Sequence, residues 1–215
     1  MNQSYWQKTS KKKIGKKIET DIATDIVIIG GGLSGVALAY QLKDSPYQVI
    51  VVDKDELGSH TSGHTTAKVT TLHSTLYRDI TKHYDIHQAY LYYKSNQQAF
   101  DEIENIIQKE NIACDYQKNN SFIYTDDPNY VKDIQEQTDI FHSLRIETIH
   151  DENHLASLGL KNQAIFHPLK YLYKLFPYTT LFRSYINSLI SVKKVAFLFM
   201  NIVKSHILKE KMIHL

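Results

Sequence analysis

Four β-branched apolar residues, Ile26 to Ile29, run straight into Gly30-Gly31-Gly32-Leu33-Ser34-Gly35, and this junction constrains the fold more than any other stretch. An apolar run of that kind, ended by glycine, predicts a strand buried on both faces. Val36 to Lys43 then supplies good helix formers, with Val36, Ala39, Tyr40 and Lys43 on one face. Asp44-Ser45-Pro46 stops the helix. Val49 to Val52 reads as a second buried strand, with Asp53 at its C-terminal end. Strand, glycine turn, helix and strand in so short a span form a βαβ unit with parallel strands.

Gly30, Gly32 and Gly35 match G-x-G-x-x-G in the context the motif requires. The first glycine permits the tight turn, the second lets the backbone approach a pyrophosphate, and the third allows close packing of helix on strand. Backbone N–H groups from about Gly32 to Gly35, aided by the helix dipole, would face the anion. Asp53 follows Gly30 by 23 residues. Its carboxylate can accept both ribose hydroxyls of an adenosine and repels a 2′-phosphate. The unit is therefore expected to bind the ADP half of a dinucleotide.

FAD and NAD share that half. An NAD fold would usually add a further helix and apolar strand soon after Asp53. Here Gly58 to Thr71 is small, polar and aperiodic, a long loop of the functional kind. Apolar positions at Ile86, Tyr90, Tyr93, Phe100, Ile103 and Ile107 then predict one amphipathic helix over 86–109. That order favours a flavoprotein, with an NAD-dependent dehydrogenase or an inactive nucleotide-binding fragment as the alternatives. Further on, Ser121–Thr125 and Arg145–Ile149 are expected strands. Asp127-Pro128 and His167-Pro168 are expected helix starts.

Composition narrows the class. Hydrophobic residues make up 42% and charged residues 22% of the 215, so the chain can bury a core and is not of disordered composition. Cys114 is the one cysteine, which excludes an intrachain disulfide framework and fits a reducing, cytoplasmic compartment. Residues 1–18 hold six lysines and no acid, whereas the remainder has 19 basic against 23 acidic residues. The basic character thus belongs to an N-terminal arm, expected to be solvated rather than to bind nucleic acid. No secretory leader pattern or membrane span is expected. His60, His64 and His73 do not share a helical face, so no metal site is expected.

Ser4-Tyr5-Trp6, Thr24–Gly32, Thr61-Ser62-Gly63-His64-Thr65-Thr66-Ala67-Lys68 and Phe166–Lys170 together resemble the D-amino-acid oxidase-like superfamily of FAD-dependent oxidoreductases. Within it, the bacterial branch whose longer members carry a Rieske domain is the most similar. The resemblance covers about residues 4–173. It implies an α/β fold: a Rossmann-like FAD-binding βαβ domain interleaved with an α+β substrate domain, the C-terminal half missing. It implies hydride transfer from an amine- or hydroxyl-bearing carbon of a small molecule to flavin N5.

The implied site residues follow by position. Gly30, Gly31, Gly32, Leu33, Ser34, Gly35 and Asp53 hold the ADP half, and Lys54 lies beside its ribose. Ser62, Gly63, His64, Thr65 and Thr66 approach the pyrophosphate or flavin. For His64 a covalent tether, a polar contact and a plain loop histidine stay open. No catalytic acid or base is assigned, and the oligomeric state is not legible.

The expected organisation is a basic arm (1–22), the FAD-binding βαβ unit and cofactor loop (23–75), and a substrate-domain portion (76–173). Leu175–Ser184 resembles the conceptual translation of a sequencing adapter. Residues 174–215 are accordingly expected to be a chimeric tail.

Overall fold

The computed structural model describes residues 3–11, 15–176, 180–183 and 190–195. Of the expected tail, 177–179, 184–189 and 196–215 lie outside the described residues. The chain divides into two compact units. One contains the described residues up to Ala67, together with Lys109–Asp115 and the described residues from His167 onward. The other contains Lys68–Gln108 and Tyr116–Phe166. The units interleave along the sequence.

The first unit is built on a parallel sheet. In chain order it contains α1 (Tyr5–Lys8), β1 (Lys16–Lys17), β2 (Ile22–Ile29), α2 (Leu33–Gln41) and β3 (Val49–Asp53). β2 and β3 pair in parallel, Ile26 opposite Val49 through Ile29 opposite Val52, so the expected βαβ unit is present. Residues of both parities are buried: Val27, Ile50 and Val52 cluster with Ile18, while Ile28 lies toward Gly35 of α2. Such a strand cannot carry an alternating polar face, which is why the sequence is a continuous apolar run. α2 buries Val36, Ala39 and Tyr40, three of the four positions expected on its inner face.

The second unit packs helices on an antiparallel sheet. It adds β4 (Lys68–Val69), α3 (Leu76–His83), α4 (Ile86–Lys109), β5 (Gln117–Thr125), α5 (Pro128–Ser143) and β6 (Ala156–Ile165). The strand order is β4-β6-β5, with an irregularity in register between Asn119 and Ser121. Its core is Leu72, Tyr77, Ala89, Ile134, Phe141, Leu158 and Leu160. Tyr77 stands edge-on to Phe141 at 4.7 Å between ring centres and donates its hydroxyl to Thr71 O at 2.6 Å. Gln137, fully buried, accepts from Arg78 N–H at 2.9 Å and donates to Ser74 O at 3.1 Å.

The remaining elements belong to the first unit: α6 (Pro168–Leu175), β7 (Thr180–Arg183) and β8 (Ile190–Val195). β7 lies beside β3 and β8 beside β2, both parallel, giving the strand order β1-β7-β3-β2-β8.

Three expectations are corrected. Arg145–Ile149 is not a strand; only Ile149 forms a bridge, to Gly159. The strand that fills this part of the sheet is β6, masked in the sequence by Gly159 and by the polar run Lys161-Asn162-Gln163, where Asn162 has φ 56°. α4 has the expected bounds, but its buried positions are Ala89, Phe100 and Ile106, and Ile86 and Tyr90 are exposed. Ala89 is small and scores weakly on hydropathy, yet it is fully buried in the core of the second unit. Residues 4–10 are not a free solvated arm: they include α1, whose side chains bond to the rest of the first unit.

His167 caps α6. It is 1% exposed, and its Nδ1 accepts from Lys170 N–H at 3.3 Å. Burial, and secondarily the Lys170 charge, push its pKa below the ordinary 6.5. Burial likewise lowers His73 in the second unit. Between the lowered folded pKa and the unfolded value, the unfolded chain binds more protons. Stability is therefore complete above about pH 6.5 and falls as the pH drops through the folded pKa. Thermal melts at stepped pH are expected to show that acid loss. His167→Asn, which keeps a capping acceptor that does not titrate, should blunt it and leave the His73 contribution.

Candidate cofactor site

The site lies within the first unit, where β2 turns into α2. Gly30 has φ +107°, and its N–H donates to Val52 O at 2.8 Å, closing the turn over the end of β3. Only glycine adopts that φ readily. Gly35 provides the close approach: a Cβ there would lie 1.9 Å from Gly30 O. Gly32 is the N-cap of α2, and the helical ladder begins with Val36 N–H donating to Gly32 O at 3.0 Å. The amides of Leu33, Ser34 and Gly35 thus precede the ladder, the group of donors a helix leaves for an anion.

Asp53 stands across this mouth. Its Oδ2 accepts from Gly31 N–H at 2.6 Å, and its Oδ1 accepts from Asp55 N–H at 2.9 Å. Each carboxylate oxygen retains accepting capacity beyond its one backbone bond. Leu57 forms a wall, its Cδ1 2.9 Å from where a Gly31 Cβ would be. No atom lies within 4 Å of a Cβ built on Gly30, so the turn faces open space.

The polar loop folds back to the same place. It makes a 3-10 turn at Thr61–His64, and Ser62 Oγ accepts from Leu33 N–H at 2.9 Å. Gly63 is buried, and a Cβ on it would lie 2.4 Å from Gly58 O. Thr65 accepts Trp6 Nε1–H on its carbonyl at 2.8 Å and Ala67 N–H on its hydroxyl at 3.2 Å. His64 is exposed, its Nδ1 donating to His60 O at 2.8 Å. Lys54 and Thr66 are also exposed.

The structure therefore brings Gly30 to Gly35, Asp53 and Ser62 together around one mouth, while Gly63 packs against Gly58 O and Gln7. Asp53, Asp55 and His60 have ligand-type atoms within 4.8 Å of one another, a grouping the sequence does not suggest. It is accounted for by the His60 Nε2–Asp55 contact at 2.6 Å and by the backbone bonds of Asp53. Two further features escape the sequence reading: the His60–Asp55 pair and the anchoring of the loop by Ser4, Trp6 and Gln7. The second has a signal, the S-x-x-Q capping box at Ser4–Gln7.

Residues 25–176 match the family model DAO, FAD dependent oxidoreductase. The chain belongs to this FAD-dependent oxidoreductase family. Its mouth is compatible with the family's cofactor: it presents the Asp53 carboxylate with accepting capacity left, amides that precede the helical ladder, and open space at Gly30. A Bacillus subtilis (strain 168) protein, named as the Rieske 2Fe-2S iron-sulfur protein YhfW, is 32% identical over 176 residues, 79% of this chain and 35% of that one.

Among solved folds, L-amino acid deaminase from Proteus vulgaris is similar at TM-score 0.60 and 11% identity, over 86% of this chain and 49% of its own. L-α-glycerophosphate oxidase from Mycoplasma pneumoniae, solved with FAD bound, is similar at TM-score 0.56 and 15% identity, over 81% of this chain and 53% of its own. This member of the FAD-dependent oxidoreductase family thus spans about a third of the curated relative and half of the solved chains. Among the described residues, no helix is long and apolar enough to cross a membrane.

Proposed function

We propose that the first unit holds the ADP half of FAD in an oxidoreductase that takes a hydride from an amine- or hydroxyl-bearing carbon of a small molecule. The observation that carries the reading is the Asp53 carboxylate bonded at 2.6 Å to Gly31 N–H beside an open, glycine-lined helix start. Asp53 accepts the adenosine ribose hydroxyls and, by its charge, disfavours a 2′-phosphate. The amides of Ser34 and Gly35, with Ser62 at Leu33, neutralise the pyrophosphate where the helix dipole already favours an anion.

Lys54 lies beside the ribose, and His64, Thr65 and Thr66 border the cofactor's further reach. When bound, FAD supplies a two-electron acceptor: hydride leaves the carbon, the amine or hydroxyl loses a proton, and an imine or carbonyl remains. The substrate class is supported by the solved relatives, one a deaminase of L-amino acids and one an oxidase of glycerophosphate. A single cysteine among 215 residues supports a reducing, cytoplasmic setting.

The test is anaerobic mixing of the FAD-loaded protein with a panel of amino acids, hydroxy acids and glycerophosphate. Loss of the oxidised flavin's visible band with an amine or hydroxyl compound is expected. A flavin that the whole panel leaves oxidised, while another donor class reduces it, would contradict the substrate class.

A further inference from the structure

The short helix α1 is closed on itself and tied outward through the same side chains. Gln7 N–H donates to Ser4 Oγ at 3.2 Å, and Ser4 N–H donates to Gln7 Oε1 at 3.1 Å, a complete capping box. The free ends of that box reach the cofactor loop. Ser4 Oγ donates to Gly63 O, and Gln7 Nε2 donates to Ser59 O at 2.9 Å. Trp6 Nε1 donates to Thr65 O at 2.8 Å. Three side-chain donors of one helical turn thus take carbonyls before, inside and after the 3-10 turn that carries Ser62. The fit is close, because a Cβ on Gly63 would lie 3.1 Å from Gln7 Nε2.

The far side of α1 is anchored too. Trp6 stands edge-on to buried His167 with ring centres 5.1 Å apart, and Thr9 Oγ1 lies 3.0 Å from His167 Nε2. Because His167 Nδ1 accepts from Lys170 N–H, the ring proton sits on Nε2 and is donated to Thr9. The loop itself is rich in Ser, Thr and Gly and has few apolar side chains to fix it. Its carbonyls need partners to hold one shape.

We propose that α1 is a strap whose donors on Ser4, Trp6 and Gln7 fix the backbone of residues 59–65, so that the Ser62 hydroxyl stands on Leu33 N–H at the pyrophosphate mouth. Ser4, Trp6 and Gln7 are positioning residues: they act through Ser62. The effect on cofactor affinity rests on the FAD reading above, whereas the hold on Ser62 does not.

Two variants of the full chain separate the strap from the fold. Trp6→Phe keeps an aromatic ring against Tyr5 and His167 but has no donor. Gln7→Glu keeps the oxygen that caps Ser4 N–H and loses the donor to Ser59. Amide hydrogen exchange, read by NMR without FAD, is expected to quicken about fivefold at Leu33 and across the 61–66 turn, the worth of one net hydrogen bond. Exchange at Ile28 and Val51 in the sheet is expected to stay as in wild type. FAD binding should weaken by a similar factor of about five in each variant.

Unchanged exchange at Leu33 and the turn overturns the strap, as does a rise spread equally over the sheet. A loosened turn with unmoved FAD affinity overturns the positioning role. If the wild type takes up no FAD, the cofactor reading fails, and exchange at Leu33 still decides the strap.

Discussion

Gly35→Ala is expected to cost about 3 kcal/mol or more in the stability of the first unit and to remove measurable FAD binding. The new Cβ would lie 1.9 Å from Gly30 O, 3.2 Å from Gly30 C and 3.3 Å from Ile28 Cγ2. The first two neighbours are backbone, held by the turn itself and by the bond from Gly30 N–H to Val52 O. No rotamer change relieves the clash, so helix and strand must part by more than an ångström. The parting opens the mouth that the amides of α2 share with Asp53. Gly32→Ala is the control for stability, since its Cβ would meet only a side-chain atom, the Ser62 Oγ at 2.9 Å, and no backbone. Denaturant unfolding of both variants measures the contrast, and FAD titration reads the loss in Gly35→Ala. Equal behaviour of the two would contradict the packing role of Gly35.

Asp53→Ala should weaken FAD binding by about a hundredfold while leaving a folded protein. The carboxylate makes charged hydrogen bonds to Gly31 N–H and Asp55 N–H and, in the proposed complex, to the ribose hydroxyls. Hydrogen bonds to a charged group are each worth about 1.5–3 kcal/mol, and a factor of one hundred is about 2.7 kcal/mol. The backbone donors freed by the change are close to the open mouth, where water can replace the lost acceptor. Fluorescence titration with FAD reads the dissociation constant. Asp55→Ala, which removes the contact to His60, should move it far less. A loss at Asp53 no larger than at Asp55 would contradict the ribose assignment.

Gly35 and Asp53 are legible in the sequence because their roles are local. Residues 26–35 specify strand, turn and helix start through their own backbone demands, and Asp53 is placed by the length of one crossover. The bounds of α4 likewise follow from periodicity alone. The side of α4 that faces inward does not, because the spacing admits two neighbouring stripes and the choice falls at Ala89. β6 escapes for a related reason. It is an antiparallel strand with a glycine at 159 and the polar run Lys161-Asn162-Gln163, in which Asn162 is left-handed, so no simple alternation survives.

In the site, resemblance points to Ser62 and Gly63, and their geometry has a cause in Leu33 N–H and Gly58 O. The strap is hidden in the sequence because lysines dominate the N-terminal composition and draw attention to charge. The informative residues there are Ser4 and Gln7, three apart, which define a capping box whatever the charge around them.

Equilibrium dialysis of the purified chain against FAD, with NADH run in parallel, tests the central claim most directly. Saturable retention of one FAD per chain, lost in Asp53→Ala and kept in Asp55→Ala, is the expected result. A wild-type chain that retains no flavin, or that holds NADH and FAD with the same affinity irrespective of Asp53, would contradict it.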